Sequence, residues 1–115
     1  MEPLATTSRR TGRALTLHLA LLTLGTMSAS SAHASEALAG KNACLGCHAI
    51  SAKMIGPAYK DVAAKYAGQS EAQAMLVKSI KNGGIGKWGD MPMPRQGALS
   101  DADAKKLASW ILSLK

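Results

Sequence analysis

From Ser35 to the end of the chain, apolar residues recur at three- and four-residue intervals in four stretches, and none shows the sustained alternation of a strand. The first stretch runs from about Ser35 to the cysteines, with Leu38 apolar and Ala39, Gly40 and Ala43 small enough to admit another helix closely. The second follows Gly56-Pro57, a proline suited to a helix entrance, and places Tyr59, Val62, Ala63 and Tyr66 at i, i+3, i+4 and i+7 before Gly68 stops it. The third opens on Ser70-Glu71-Ala72-Gln73, which has the form of a capping box. It carries Ala72, Met75, Leu76, Ser79 and Ile80 on one face and stops at Asn82-Gly83-Gly84. The fourth opens on Ser100-Asp101-Ala102-Asp103, whose acids complement the helix dipole, and aligns Leu107, Trp110, Ile111 and Leu114. The expected fold is all-α, a small single domain of about four helices.

Between the third and fourth helices, Gly83 to Leu99 carries no helical pattern. Four glycines precede Asp90, and Pro92 and Pro94 follow it. A connection of that length in so short a chain is expected to have a task.

Residues 1–34 follow a different rule. Arg9, Arg10 and Arg13 stand against Glu2 at the head, an apolar run rich in leucine extends from Ala14 to Met27, and small residues end in Ala32-His33-Ala34. A basic head, an apolar stretch too short to span comfortably and a small-residue terminus make a secretory signal peptide cleaved before Ser35. An uncleaved anchor would continue its apolar run where Gly25, Thr26 and the serines interrupt it. Ser8-Arg9-Arg10 has a twin-arginine look, but Thr11-Gly12 lacks the apolar character that signal wants. The mature domain is therefore expected at 35–115, outside the cytoplasm, in the periplasm.

Cleavage changes the composition that matters. Of 115 residues, 81 remain, near the lower limit for a protein-only core. They include no Phe, two Tyr and two Trp, so the usual aromatic filling is missing and a large buried cofactor is expected in its place. Removing Arg9, Arg10, Arg13 and Glu2 from the 14 basic and 7 acidic residues leaves 11 against 6, a net charge of +5. The surplus is dispersed, without the basic stripe and interleaved aromatics of a nucleic-acid surface, and suits steering toward an acidic protein partner.

The chain's only cysteines lie in Cys44-Leu45-Gly46-Cys47-His48, the C-x-x-C-H attachment pattern of c-type haem. Thiols three positions apart project to neighbouring faces of one turn and reach two vinyl groups along one haem edge, while the next residue aims its imidazole at the iron. A structural zinc site wants four ligands, more than the mature chain holds in Cys and His. A thioredoxin-like redox pair belongs beside βαβ periodicity, which is absent. His48 is the only histidine after cleavage, so the second axial ligand is expected to be a methionine. Met75 falls on a helix face and Met54 is too close to His48 in sequence to reach the opposite haem face. Met91 and Met93 remain, alternating with Pro92 and Pro94, which hold that backbone extended.

His48, Ile55-Gly56-Pro57-Ala58-Tyr59-Lys60-Asp61-Val62-Ala63-Ala64-Lys65-Tyr66, Ile80-Lys81-Asn82-Gly83-Gly84, Trp88-Gly89 and Pro92-Met93-Pro94 together resemble the short bacterial class I cytochromes of the c551/c552 type. The resemblance covers essentially all of residues 36–114. It implies a cytochrome c fold wrapped around one covalent haem, with Met93 rather than Met91 as sixth ligand. It also implies that the Pro57 carbonyl accepts a hydrogen bond from the second nitrogen of His48, and that Trp88 donates its indole N–H to a haem propionate. Asp90-Met91 and Arg95-Gln96 depart from the family, which commonly has proline and a β-branched residue at the first pair and proline and asparagine at the second.

An iron with both axial positions filled has no place for a substrate, so the expected activity is single-electron transfer rather than catalysis. The expected partners are acidic redox proteins of a respiratory chain: a membrane cytochrome complex, and a terminal oxidase or reductase. A haem subunit dedicated to one enzyme complex is the alternative. No nucleic acid, no membrane insertion of the mature chain and a monomer are expected. The docking face that the resemblance implies is an apolar patch of Leu45, Met54 and Pro94 over the haem edge, ringed by Lys41, Lys53 and Arg95.

Overall fold

The computed structural model describes the backbone of residues 30–115 and the side chains of residues 35–115. The expected signal peptide lies outside the described residues apart from the backbone of residues 30–34. Four helices follow in order, α1 Ser30–Lys41, α2 Tyr59–Tyr66, α3 Ala72–Asn82 and α4 Asp101–Ser113, with a short 3-10 turn at Cys44–Gly46 between the first two. Among the described residues there is no strand, only an isolated antiparallel bridge between Gly84 and Met93. None of the described helices is long and apolar enough to cross a membrane.

Helix α4 is the element on which α1, α2 and α3 all pack. It starts where the sequence pattern places it, because Ser100 Oγ accepts from Asp103 N at 3.1 Å and so satisfies one of the free amides of the first turn. Ala104, Leu107, Ala108, Trp110 and Ile111 form its buried stripe. Ala104 and Ala108, like Ala39 of α1, have no exposure, and side chains this small let helix backbones approach closely. Helix α2 buries the predicted set, Tyr59, Val62, Ala63 and Tyr66.

Helix α3 departs from its predicted beginning. Its cap position is Glu71, no side chain bonds to the cap, and the Ser70/Gln73 capping box does not form. The turn is closed by backbone instead, with Ala72 N on Gln69 O at 3.2 Å and Met75 N on Glu71 O at 2.9 Å. Gln73 donates to Ser109 Oγ at 2.6 Å, so a contact with α4 has taken the side chain that local pairing would have used. Ala72, Leu76 and Ile80 are buried, one per turn, while Met75 is 38 % exposed. Met75 directly precedes Leu76 and is turned about 100° away from that narrow stripe.

The core left by this packing is thin. Among the described residues, the buried side chains larger than alanine are Val62, Leu76, Ile80, Leu99, Leu107 and Ile111 with the aromatic Tyr59, Tyr66 and Trp110. Each well-buried aliphatic side chain contributes about 1.5–3 kcal/mol, and a set of this size leaves little margin against the chain entropy of a small domain without a further component.

Candidate functional site

The two thiols are presented by a local turn. Asn42 closes α1 twice, through its backbone N at 3.2 Å and its Nδ2 at 2.9 Å from Leu38 O. Ala43 then takes a left-handed conformation, φ +58°, and reverses the chain. Gly46 N bonds Ala43 O at 3.1 Å, and Cys47 N and His48 N bond Cys44 O at 3.2 and 3.0 Å, which winds the segment into one tight turn. Cys44 and Cys47 are both free and half-buried, and both line a single cavity. Burial pushes the Cys44 thiol above its ordinary pKa.

His48 is held on three sides. Its Nδ1 lies 2.8 Å from the Pro57 carbonyl, and because a carbonyl only accepts, Nδ1 carries the proton and Nε2 keeps its lone pair. The ring stacks on Tyr59 with centroids 5.0 Å apart and planes at 14°, and Tyr59 meets Trp110 edge-on at 5.3 Å. Burial, and secondarily the nearby Cys44 thiol, pushes the Tyr59 phenol above its ordinary pKa, so it stays neutral beneath the imidazole. The third side is Gly56, whose N bonds Cys47 O at 2.8 Å. A Cβ there would stand 2.5 Å from His48 Cε1, so only glycine leaves room for the ring.

The long loop supplies the other wall. Gly84 and Met93 exchange both backbone bonds, at 3.0 and 2.8 Å, and Gln96 N bonds Ile80 O at 3.1 Å, which fastens Met93 to the end of α3. Met93 is partly buried against the core, whereas Met91 is 64 % exposed; both line the cavity. Gln96 Nε2 donates to Pro94 O at 3.2 Å, so its amide bonds to the backbone of its own loop.

Gly83 is the point of closest approach. Its φ of +66° and ψ of −160° lie in a region open essentially to glycine, and a Cβ would clash with Met93 O and stand 2.7 Å from Arg95 N. Gly83→Ala should therefore cost about 1–3 kcal/mol from backbone strain alone, read as a lower urea midpoint. An unchanged midpoint would mean that the loop is not seated on this glycine.

Trp88 stands at the rim, 37 % exposed. Lys65 of α2 reaches across to it, with Nζ 4.4 Å over the ring and donating to Lys87 O at 3.0 Å. Sequence pattern offered no signal for this tether, since Lys65 reads as an ordinary charged residue on an exposed helix face. Gly83 marks a helix stop by its pattern, which carries no sign of its close approach to Met93 O.

Cys44, Cys47, His48, Pro57, Trp88 and Met93 all border one cavity of about 340 Å³, whose remaining walls are mostly aliphatic and aromatic side chains of α2, α3 and α4 and the loop. Two thiols on one short turn, an imidazole with Nε2 free and a fastened thioether form a donor set that fits a covalently attached haem. Among the described residues there is no cluster of His, Cys, Asp and Glu suited to a bare metal ion. The expected docking patch needs one correction. Met54 is exposed at 49 % and Pro94 is exposed, but Leu45 is half-buried and packs against the core, because the tight turn folds it back beneath α1. Leu45 is thus a packing residue as much as a surface one.

Residues 32–115 match the family model described as Cytochrome c. Cytochrome c-551 of Pseudomonas aeruginosa is 54 % identical over 99 residues, covering 84 % of this chain and 94 % of that protein. Cytochrome c-552 of Nitrosomonas europaea is 50 % identical over 98 residues, covering 80 % and 95 %. The crystal structure of wild-type Nitrosomonas europaea cytochrome c552 superposes with a TM-score of 0.68 at 52 % identity, covering 70 % of this chain and 99 % of that one.

Proposed function

This chain belongs to the cytochrome c family, and from that premise we propose that it is an exported mono-haem electron carrier of a respiratory chain, working in the periplasm after removal of residues 1–34. The observation that carries the reading is the convergence of Cys44, Cys47, His48 and Met93 on one largely apolar cavity.

Haem c, when bound, supplies a one-electron iron couple. Cys44 and Cys47 would hold it by thioether bonds, and His48 Nε2 and the Met93 sulfur would bind its iron. Pro57 fixes the imidazole tautomer, which leaves Nε2 unprotonated and available to a metal. The Gly84–Met93 bridge holds the thioether in place without a side-chain partner. Tyr59, stacked on His48, restrains the ring and covers one of its faces. With His48 and Met93 both given to the iron, no position would remain for a substrate, and the fastening of the two residues would keep structural change on electron transfer small. Trp88 would donate its indole N–H to a propionate at the rim.

The dispersed basic surplus supports an acidic redox partner, met briefly through Met54 and Pro94 with Lys41, Lys53 and Arg95 around them. A membrane cytochrome complex as donor and a terminal oxidase or reductase as acceptor, with this protein a monomer between them, fit those features. Protein purified from the periplasm of a haem-attaching host should begin at Ser35 and weigh that chain plus one haem. Its transfer rate to an acidic redox partner should fall as salt rises, since screening shortens to about 8 Å at physiological ionic strength. A haem-free product with a Cys44–Cys47 disulfide, or a rate indifferent to salt, would overturn the corresponding half of the proposal.

A further inference from the structure

The cavity wall is uncharged almost throughout. Among the described residues that line it, Lys87 is the only lysine, arginine or acid. Its ammonium donates to Ser79 Oγ at 3.1 Å, and Ser79, on the last turns of α3, lines the same cavity. The neighbouring cations are placed otherwise. Lys81 is paired with Asp101 at 3.1 Å and donates to Leu99 O, and Lys65 is spent on Trp88 and the Lys87 carbonyl. Lys87 has no acidic partner among the described residues. Its backbone is nonetheless fixed by Lys65, so an exposed loop lysine is held at the cavity edge rather than left to wander.

A haem carries two propionates, and a carboxylate set against an apolar wall costs free energy unless it is paired and hydrogen-bonded. We propose that Lys87 and Ser79 form the carboxylate anchor of this cavity, an inference that rests on the haem reading above. The Lys87 ammonium pairs with one propionate, and the Ser79 hydroxyl, which accepts from Lys87, has its own O–H left to donate to the same carboxylate. Trp88, the next residue, would serve the propionate from the indole side. The anchor is thus divided between α3 and the loop, and it ties the loop that presents Met93 to the helix below it.

A second consequence is electronic. Ferric haem carries one more positive charge than ferrous, so a fixed cation at the rim favours the ferrous state through the poorly polarisable interior. Removing it lowers the potential.

The test uses the haem-loaded protein and three variants: Lys87→Gln, Lys87→Arg, and Lys78→Gln as a control that removes the same charge from an exposed position of α3 outside the cavity. Midpoint potentials and the resonance Raman propionate bending mode, which follows hydrogen bonding at the carboxylate, are measured for each. Lys87→Gln should lower the potential and shift the mode, Lys87→Arg should restore both, and Lys78→Gln should leave the mode unmoved and the potential closer to the starting value. Haem-loaded Lys87→Gln that matches Lys78→Gln in both readouts would overturn the anchor alone. Protein that carries no covalent haem at all would overturn the proposed function and the anchor with it.

Discussion

Replacing Cys44 and Cys47 together with alanine should yield a chain that is largely unfolded, with weak far-UV circular dichroism and no cooperative urea transition. The reason lies in the balance between core and cavity. The side chains that meet around the cavity, including Tyr59, Leu76, Ile80, Leu107 and Ile111, are the same ones that make up the apolar core. A cavity of about 340 Å³, at the ~24 cal/mol per Å³ seen when cores are hollowed, would cost up to about 8 kcal/mol. That figure is a ceiling because this cavity opens to solvent, yet it falls within the whole stability of a small domain, about 5–15 kcal/mol. Because those side chains both line the cavity and belong to the core, emptying it weakens the packing that would have to offset the loss. Single replacements should leave one thioether and a smaller loss. A double variant that unfolds cooperatively near the starting midpoint would show that the helices hold together without the cofactor.

Met93→Ala should abolish the sulfur-to-iron charge-transfer absorption of the oxidised protein and lower its potential, while Met91→Ala leaves that band in place. Met93 is partly buried, and its backbone is locked to Gly84 at both N–H and C=O, so its sulfur can be presented at little cost in chain entropy. Met91 lies beyond that bridge, 64 % exposed. Replacing Met93 by histidine should restore six-coordination at a lower potential, since imidazole favours ferric iron more than a thioether does. Persistence of the band in Met93→Ala, with loss in Met91→Ala, would assign the ligand to the other methionine.

Much of this molecule was determined locally, and those parts were legible in the sequence. Ser100 caps α4 through Asp103 N because the bond spans only three residues, and the buried faces of α2 and α4 follow the 3.6-residue period alone. The attachment turn is likewise a local matter, closed by backbone bonds between Ala43 and His48. Where a tertiary partner competed, local rules lost. Gln73 left its expected cap for Ser109 of α4, Met75 was displaced to solvent by a stripe only one residue wide, and Leu45 turned inward under the core. The arrangement around the loop could be decided only in three dimensions. Gly83 and Gly84 carry the signature of a helix stop, but the approach of Met93 O to Gly83 and the paired bonds from Gly84 join positions about ten residues apart with no periodic pattern between them. Lys65 and Lys87, both ordinary charged residues by their spacing, acquire their roles because packing of the helices brings the loop within reach of α2 and α3. Bonds between distant segments leave no mark in local periodicity, since their partners are chosen by the packed helices rather than by the neighbours in the chain.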